Sequence, residues 1–393
     1  NMLNTILNRQ DSIFSKDLKA REKKISNLIN KSSFLILGGA GSIGQSVVKL
    51  ILKYKPKRLH VVDISENNLV ELVRDVRSQN FKIIEDFRTF PIDIGSTIYD
   101  SFFNHDGNYD YIINLSALKH VRSEKNYYSM SRMIEVNILN TVKTIEQSIQ
   151  KNIKKYFCVS TDKATNPENF MGATKRVMEL ILFYYSNKIS VSSARFANVA
   201  FSDGSLLDSF NKRLKKVQPI SAPNDVKRYF MSAKEAGELC LFSTLFGENR
   251  EIYFPKLSRN HLKSFKSIAI KFLEANGYQP HLCNEDEAKK DITKLVMKKK
   301  WPCVFNKTNT TGEKMIEEFF SNEDQLDNNS YETIATIKNK LICKQNDIEE
   351  FLNLLIENNQ KLNLNKPELI KLFKKIIPEF SHFEFKSNLD EKM

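Results

Sequence analysis

Leu35-Ile-Leu-Gly38-Gly-Ala-Gly41-Ser-Ile-Gly44 places a glycine-rich turn between an apolar run and an amphipathic stretch. Glycines there let backbone N–H groups and the positive end of a following helix approach a pyrophosphate closely. The glycines alone are weak evidence, so their surroundings decide. The next β-branched run ends about 20 residues later in Val61-Val62-Asp63, where a carboxylate can accept hydrogen bonds from adenosine ribose hydroxyls. Strand, turn, helix and acid in that register predict a dinucleotide site at Gly38, Gly41, Ser42, Ile43, Gly44 and Asp63. A carboxylate at Asp63 would repel a 2′-phosphate, and no arginine follows directly in Ile64-Ser65-Glu66-Asn67, so NAD is favoured over NADP.

Outward from this turn, short β-branched runs alternate with helical spacing as far as about residue 200, the form of a parallel sheet covered on both faces. Strands are expected at 34–37, 59–63, 89–92, 111–114, 156–160 and 191–197. Helical patterns are expected at 42–54, 66–79 and 133–150. Four segments follow: an N-terminal helical segment over 1–30, a Rossmann-type domain over 31–200, a smaller mixed α/β substrate lobe over 201–321 with contributions from 119–128, and a helical C-terminal extension over 322–393. The fold class is therefore α/β, a doubly wound parallel sheet with a second lobe and a helical tail. Asp93-Ile94, just past the third strand, sits either to meet the adenine edge or to cap the strand end. Ser116 and Ala117, after the fourth, would line the nicotinamide side.

The bulk properties narrow the class. A chain of 393 residues, 41% of them hydrophobic, can bury a substantial core. No apolar run approaches the roughly 20 residues of a membrane span, and the polar stretch 1–31 lacks an apolar leader core. The expectation is a cytoplasmic protein without membrane contact. The five cysteines are scattered with no Cys-x-x-Cys pair, which argues against a metal site or disulfide framework. The net charge of +13 is spread along the chain and accompanies no nucleic-acid-binding motif, so solvated basic faces and sites for a small polyanion account for it.

A second cluster follows the fifth strand, Val159-Ser160-Thr161-Asp162-Lys163-Ala164, with Met171-Gly172-Ala-Thr-Lys175 opening a helix soon after. Adjacent Asp and Lys side chains at the carboxyl end of a parallel strand face the ligand crevice and offer a proton donor and acceptor together. On residue type alone they could equally be a surface ion pair. The order of Gly38–Gly44, Ala117-Leu-Lys119-His120-Val121, Ser160–Lys163, Met171–Lys175 and Arg195-Phe-Ala-Asn198-Val resembles the UDP-N-acetylglucosamine 4,6-dehydratases. These belong to the polysaccharide-biosynthesis, CapD-like group of extended short-chain dehydrogenase/reductases. Met171 stands where most of the superfamily has tyrosine, and in this the chain is similar to the branch that retains the C5 configuration.

The resemblance implies an NAD-dependent hydro-lyase converting UDP-N-acetylglucosamine to a 2-acetamido-2,6-dideoxy-4-keto sugar. The steps would be C4 oxidation, loss of water across C5 and C6, and hydride return to C6. It implies Lys163 as base, Asp162 as acid, Thr161 near the 4-hydroxyl, Lys175 at the nicotinamide ribose, and Met171 packing without moving a proton. Lys119, His120, Asn198, Arg228 and Glu313 (in Thr311-Gly-Glu-Lys314) become candidates around sugar and pyrophosphate, Arg228 because its planar fork pairs with phosphate oxygens. Relatives of this kind imply a homo-oligomer, a dimer or hexamer. The rivals are a 4-epimerase, which needs no C5 base, and a non-catalytic NAD-sensing module, which the missing tyrosine encourages.

Overall fold

The computed structural model describes residues 6–79, 84–120, 124, 126–290, 292–307, 317–339 and 345–382. Its centre is a nine-stranded sheet whose order, edge to edge, is Leu326–Asp327, Ile334–Lys338, Glu251–Pro255, Ser190–Ala194, Lys155–Val159, Tyr111–Asn114, Ser33–Leu37, Arg58–Asp63 and Phe87–Pro91. The seven strands from Glu251–Pro255 to Phe87–Pro91 pair in parallel, and Ile334–Lys338 and Leu326–Asp327 join antiparallel. Chain order reverses between Ser33–Leu37 and Tyr111–Asn114, which opens a crevice at their carboxyl ends. Helices cover both faces, so strands such as Phe34-Leu-Ile-Leu37 and Tyr156-Phe-Cys-Val159 are apolar throughout instead of alternating. The expected strands and helices of the first 200 residues appear within a few residues of their predicted ends.

The helical pattern at 133–150 starts earlier and is interrupted. An α-helix over Tyr127–Ile134 passes through one π-helical turn, Glu135–Leu139, into a second α-helix, Asn140–Gln150. π-Turns of this kind often mark functional sites because they re-aim a side chain.

The smaller lobe has its own core, in which Phe210, Ile220, Phe230, Phe272 and Trp301 are buried. Two three-stranded sheets serve it, one of Gln279–Leu282, Lys300–Asn306 and Ile220–Pro223, the other of Leu262–Ser264, Lys227–Met231 and Asn198–Val199. The N-terminal segment joins the two cores: Ile6 and Leu7 enter the lobe's cluster, while Phe14, Ile25 and Ile29 enter the main one. Arg9 donates to the Phe230 carbonyl at 2.6 Å.

The helical tail begins later than expected. Leu326–Asp327 and Ile334–Lys338 are strands, the second pairing with Glu251–Pro255, because Ile334 and Ile337 fill a sheet position that is buried on both faces. Helices Gln345–Lys361 and Lys366–Ile376 then follow. They pack on the Phe170–Tyr185 helix, with Phe373 4.6 Å from Phe170 and Phe351 5.2 Å from Phe373 between ring centres. Among the described residues no helix is long and apolar enough to cross a membrane, and no His, Cys, Asp and Glu cluster could hold a metal.

Candidate active site

The glycine turn is built almost entirely from backbone. Gly38 has φ +71°, and a Cβ there would stand 2.7 Å from the Ser116 amide nitrogen. Only glycine takes that conformation cheaply and also lets the fourth strand's end come so near. Gly38 N–H donates to the Val62 carbonyl at 2.8 Å. Gly41 precedes the Ser42–Lys53 helix as its N-cap, and nothing closer than 3.7 Å would meet a Cβ at that position. Gly44 lies in the first turn of that helix and Ile43 packs against the main core. Asp63 ties the turn to the second strand, accepting from Ala40 N–H at 2.9 Å and from Ser65 N–H at 2.9 Å.

The other predicted cofactor residues surround this turn. Ser116 N–H is held by the Asn114 side chain at 3.1 Å, with Ala117 next in the chain. Asp93 accepts from Gly95 N–H at 2.8 Å and faces Arg132 at 3.9 Å, so it shapes its own loop, and Ile94 is buried beside it. Open space at Gly41, a helix N-terminus and an acid at the second strand's end fit a dinucleotide pyrophosphate and ribose.

Thr161, Asp162 and Lys163 lie at the carboxyl end of Lys155–Val159, two strands from the glycine turn on the crevice side. Asp162 is 2% exposed. It accepts from the Thr161 hydroxyl at 2.8 Å and lies 3.7 Å from Lys163 Nζ, whose side chain is 28% exposed. The pair is therefore no loose surface contact. The Phe170–Tyr185 helix comes close to this turn because Gly172 has no side chain, as a Cβ there would collide with the Lys163 carbonyl. The same helix carries Met171, which is buried, and Lys175. Lys175 Nζ donates to the Val159 carbonyl at 2.8 Å, and burial lowers its pKa, with Cys158 and Glu179 opposing.

The substrate-side candidates fall into two groups. Lys119 and His120 face the Phe201–Ser205 loop: the His120 ring stands 2.7 Å from where a Cβ on Gly204 would be. Desolvation lowers the pKa of Lys119 despite Asp203 and Asp208 nearby. The loop reaches back to the glycine turn, where Asp203 N–H donates to the Ser42 hydroxyl at 3.2 Å. Asn198 and Arg228 lie on paired strands of the smaller lobe, Asn198 opposite Phe230. Glu313 and Val121 lie outside the described residues.

Four supporting features carry no local motif. Asn137, on the π-turn, accepts from Leu118 N–H at 2.9 Å and donates to the Leu118 carbonyl at 2.9 Å and to Thr174 at 3.0 Å, joining the Ser116–Lys119 loop to the Met171 helix. Glu179 receives Arg195 on both oxygens, at 2.8 and 2.7 Å, and Ser160 at 2.6 Å. Burial works to raise the Glu179 pKa, but the arginines and Ser160 outweigh it and hold the carboxyl below its ordinary value. Glu124 accepts from Met171 N–H at 3.1 Å and faces His382 at 3.2 Å, linking the tail to the site. Glu317 accepts from the Asn198 side chain at 2.6 Å and from Tyr229 N–H at 2.5 Å. The π-turn, whose residues Glu135-Val-Asn-Ile-Leu139 keep a helical spacing of apolar side chains, had no local signal, and neither had Glu317.

The family described as polysaccharide biosynthesis protein matches residues 34–339. The chain belongs to that family. An uncharacterized membrane protein of Methanocaldococcus jannaschii is 33% identical over 263 residues, 65% of this chain and 76% of that protein. The probable polysaccharide biosynthesis protein EpsC of Bacillus subtilis is 27% identical over 68% of this chain, which spans only 45% of the EpsC length. An inverting UDP-N-acetylglucosamine 4,6-dehydratase of Campylobacter jejuni is 28% identical over 58% of this chain and 68% of that enzyme. UDP-glucose 4-epimerase of Rickettsia typhi is 26% identical over 66% and 80%. Among solved structures, Pen from Bacillus thuringiensis aligns with a TM-score of 0.65 and 25% identity, covering 84% of this chain and 98% of Pen. These relatives put the chain among nucleotide-sugar dehydratases and epimerases of the extended short-chain dehydrogenase/reductase type.

Proposed function

We propose that this chain is a 4,6-dehydratase of UDP-N-acetylglucosamine that retains the C5 configuration, using NAD held by Gly38, Gly41–Gly44 and Asp63. The observation that carries the reading is the Thr161–Asp162–Lys163 arrangement at the mouth of the crevice, with the Asp162 carboxylate buried. The chemistry NAD would supply when bound is acceptance of the C4 hydride and its return to C6, so that the cofactor would end each turnover unchanged. Every proton movement falls to the chain's own side chains. Thr161 Oγ1 already donates to Asp162 Oδ1, so a 4-hydroxyl hydrogen-bonded to Thr161 can pass its proton through that oxygen to the carboxylate. This route makes tyrosine unnecessary and suits a methionine at 171.

Once C4 is a carbonyl, the C5 proton is acidified and Lys163 Nζ, having first released its ammonium proton to solvent, removes it. Asp162 returns its acquired proton to the C6 hydroxyl, which leaves as water. Lys163 then gives its proton back to C5, on the face from which it came. The sugar has lost one water, and both side chains are back in their starting states once Lys163 regains its ammonium proton from solvent. Lys175, kept near the site by the Val159 carbonyl, would hold the cofactor ribose, with Ser116 and Ala117 along the nicotinamide. Lys119, His120, Asn198, Arg228 and Glu313 are assigned to the nucleotide sugar.

A 4-epimerase is the second reading, favoured by the similarity to the Rickettsia enzyme. It would leave the Asp162–Lys163 pair without a task, because epimerisation requires neither a C5 base nor a C6 acid. The test is Lys163→Ala and Asp162→Asn with deuterium exchange at C5 followed in heavy water. Exchange lost in Lys163→Ala, and neither exchange nor water loss in Asp162→Asn, support the assignment. Near-normal turnover in both variants rejects it.

A further inference from the structure

Four candidate site residues converge on a carboxyl group that belongs to no motif. Glu317 is 6% exposed, and its hydrogen bonds come from two neutral donors, the Asn198 amide and the Tyr229 backbone N–H. Neither donor supplies the opposite charge that an ionised buried carboxylate needs. Among the described residues the charged groups facing it come from two elements: Asp162 and Lys163 from the strand-end turn, and Arg228 from Lys227–Met231, with the Tyr229 phenol on that same strand. Burial, followed by the like charge of Asp162, pushes the Glu317 carboxyl up to about 8, against the Tyr229 N–H, Arg228 and Lys163.

We propose that Glu317 is a positioning residue that keeps the proton of a two-carboxyl pair, so that Asp162 bears the pair's one negative charge and stays able to accept a proton through Thr161. Two carboxyl groups in a poorly solvated cluster do not ionise together without cost, and the proton goes to the one with the weaker support. Asp162 has the Thr161 hydroxyl at 2.8 Å and the Lys163 ammonium at 3.7 Å. Among the described residues Glu317 has only neutral donors, so it holds the proton. It acts through Asp162 without touching the sugar.

When Glu317 ionises, a second negative charge appears beside the pair. Asp162 then holds more tightly the proton it must release to the leaving hydroxyl, and Lys163 stays an ammonium and cannot act as base. Turnover therefore falls on the alkaline side, with Glu317 setting that limit.

The kinetic arm of the test rests on the dehydratase reading; the spectroscopic arm does not. Glu317→Gln keeps an acceptor for Tyr229 N–H, and the Asn198 amide can turn its oxygen toward the new amide group. Infrared difference spectra of the full chain should show a protonated carboxyl carbonyl band at neutral pH that disappears above about pH 8. The band should be missing in Glu317→Gln, and Asp162→Asn should move its midpoint to lower pH by removing the like charge. With UDP-N-acetylglucosamine, the ratio of turnover at about pH 9 to that at about pH 7 should rise about tenfold in Glu317→Gln. No such band in the wild type, a band surviving in Glu317→Gln, or an alkaline limit left in place overturns the proposal. If no nucleotide sugar is turned over, the dehydratase reading fails while the infrared result still decides the state of Glu317.

Discussion

The glycine turn and the Thr161–Lys163 turn face the same crevice but are built on different principles. The first is made of backbone within one strand–helix–strand unit, with Asp63 tying it to the second strand through the Ala40 amide. The second is made of side chains gathered from Glu124, Asn137, Lys175, Glu179, Arg195 and Glu317, spread over nearly 200 positions of sequence. A backbone cradle tolerates change everywhere except at its glycines. A side-chain cluster depends on every buried polar partner being satisfied, because one left unpaired costs its full desolvation.

This contrast is broken most severely at the proton-handling residues. Lys163→Ala and Asp162→Asn should lower turnover by roughly 10²–10⁴-fold, the usual contribution of a positioned acid or base, with NAD binding kept. Isothermal titration beside product assays separates the two effects. Next comes the Glu179–Arg195 pair, which joins Ser160 to the Phe319 carbonyl and the Met171 helix. Glu179→Ala leaves the buried Arg195 guanidinium without its close counter-charge, with Asp324 4.0 Å away, and should cost about 3–5 kcal/mol of stability, read by denaturant unfolding.

At the cradle, Gly38→Ala must take φ +71° and displace the Ser116 backbone. It should cost about 1–3 kcal/mol and weaken NAD binding more than it slows the chemistry of whatever cofactor remains bound. Asn137→Ala should cost a similar amount, about 1–3 kcal/mol, with hydrogen exchange accelerated at the Leu118 amide it holds. If Asn137→Ala instead unfolded the protein while Glu179→Ala did not, the ranking of the two supports would be reversed.

The same contrast explains what the sequence disclosed. Strand–turn–helix–acid is a local pattern, so Gly38–Gly44 and Asp63 were legible from spacing, as was most of the parallel sheet. Asp162 and Lys163 were legible as adjacent residues, but whether they formed a surface ion pair or a buried couple depended on residues far along the chain. Glu317 was invisible because its meaning comes from Asn198, Tyr229 and Asp162, none of them near it in sequence. The strand Ile334–Lys338 was hidden for a related reason: its β character comes from pairing with Glu251–Pro255, not from alternation of its own. The π-turn at Glu135–Leu139 keeps a helical spacing of apolar residues, which masks the re-aiming of Asn137.

The measurement that bears most directly on the account is the product formed when the purified chain meets UDP-N-acetylglucosamine in heavy water, analysed by mass and proton NMR. The account predicts a nucleotide sugar lighter by one water, with a methyl group at C6, deuterium at C5 and the starting C5 configuration. A product of unchanged covalent composition epimerised at C4, or a dehydrated product without deuterium at C5, would contradict it.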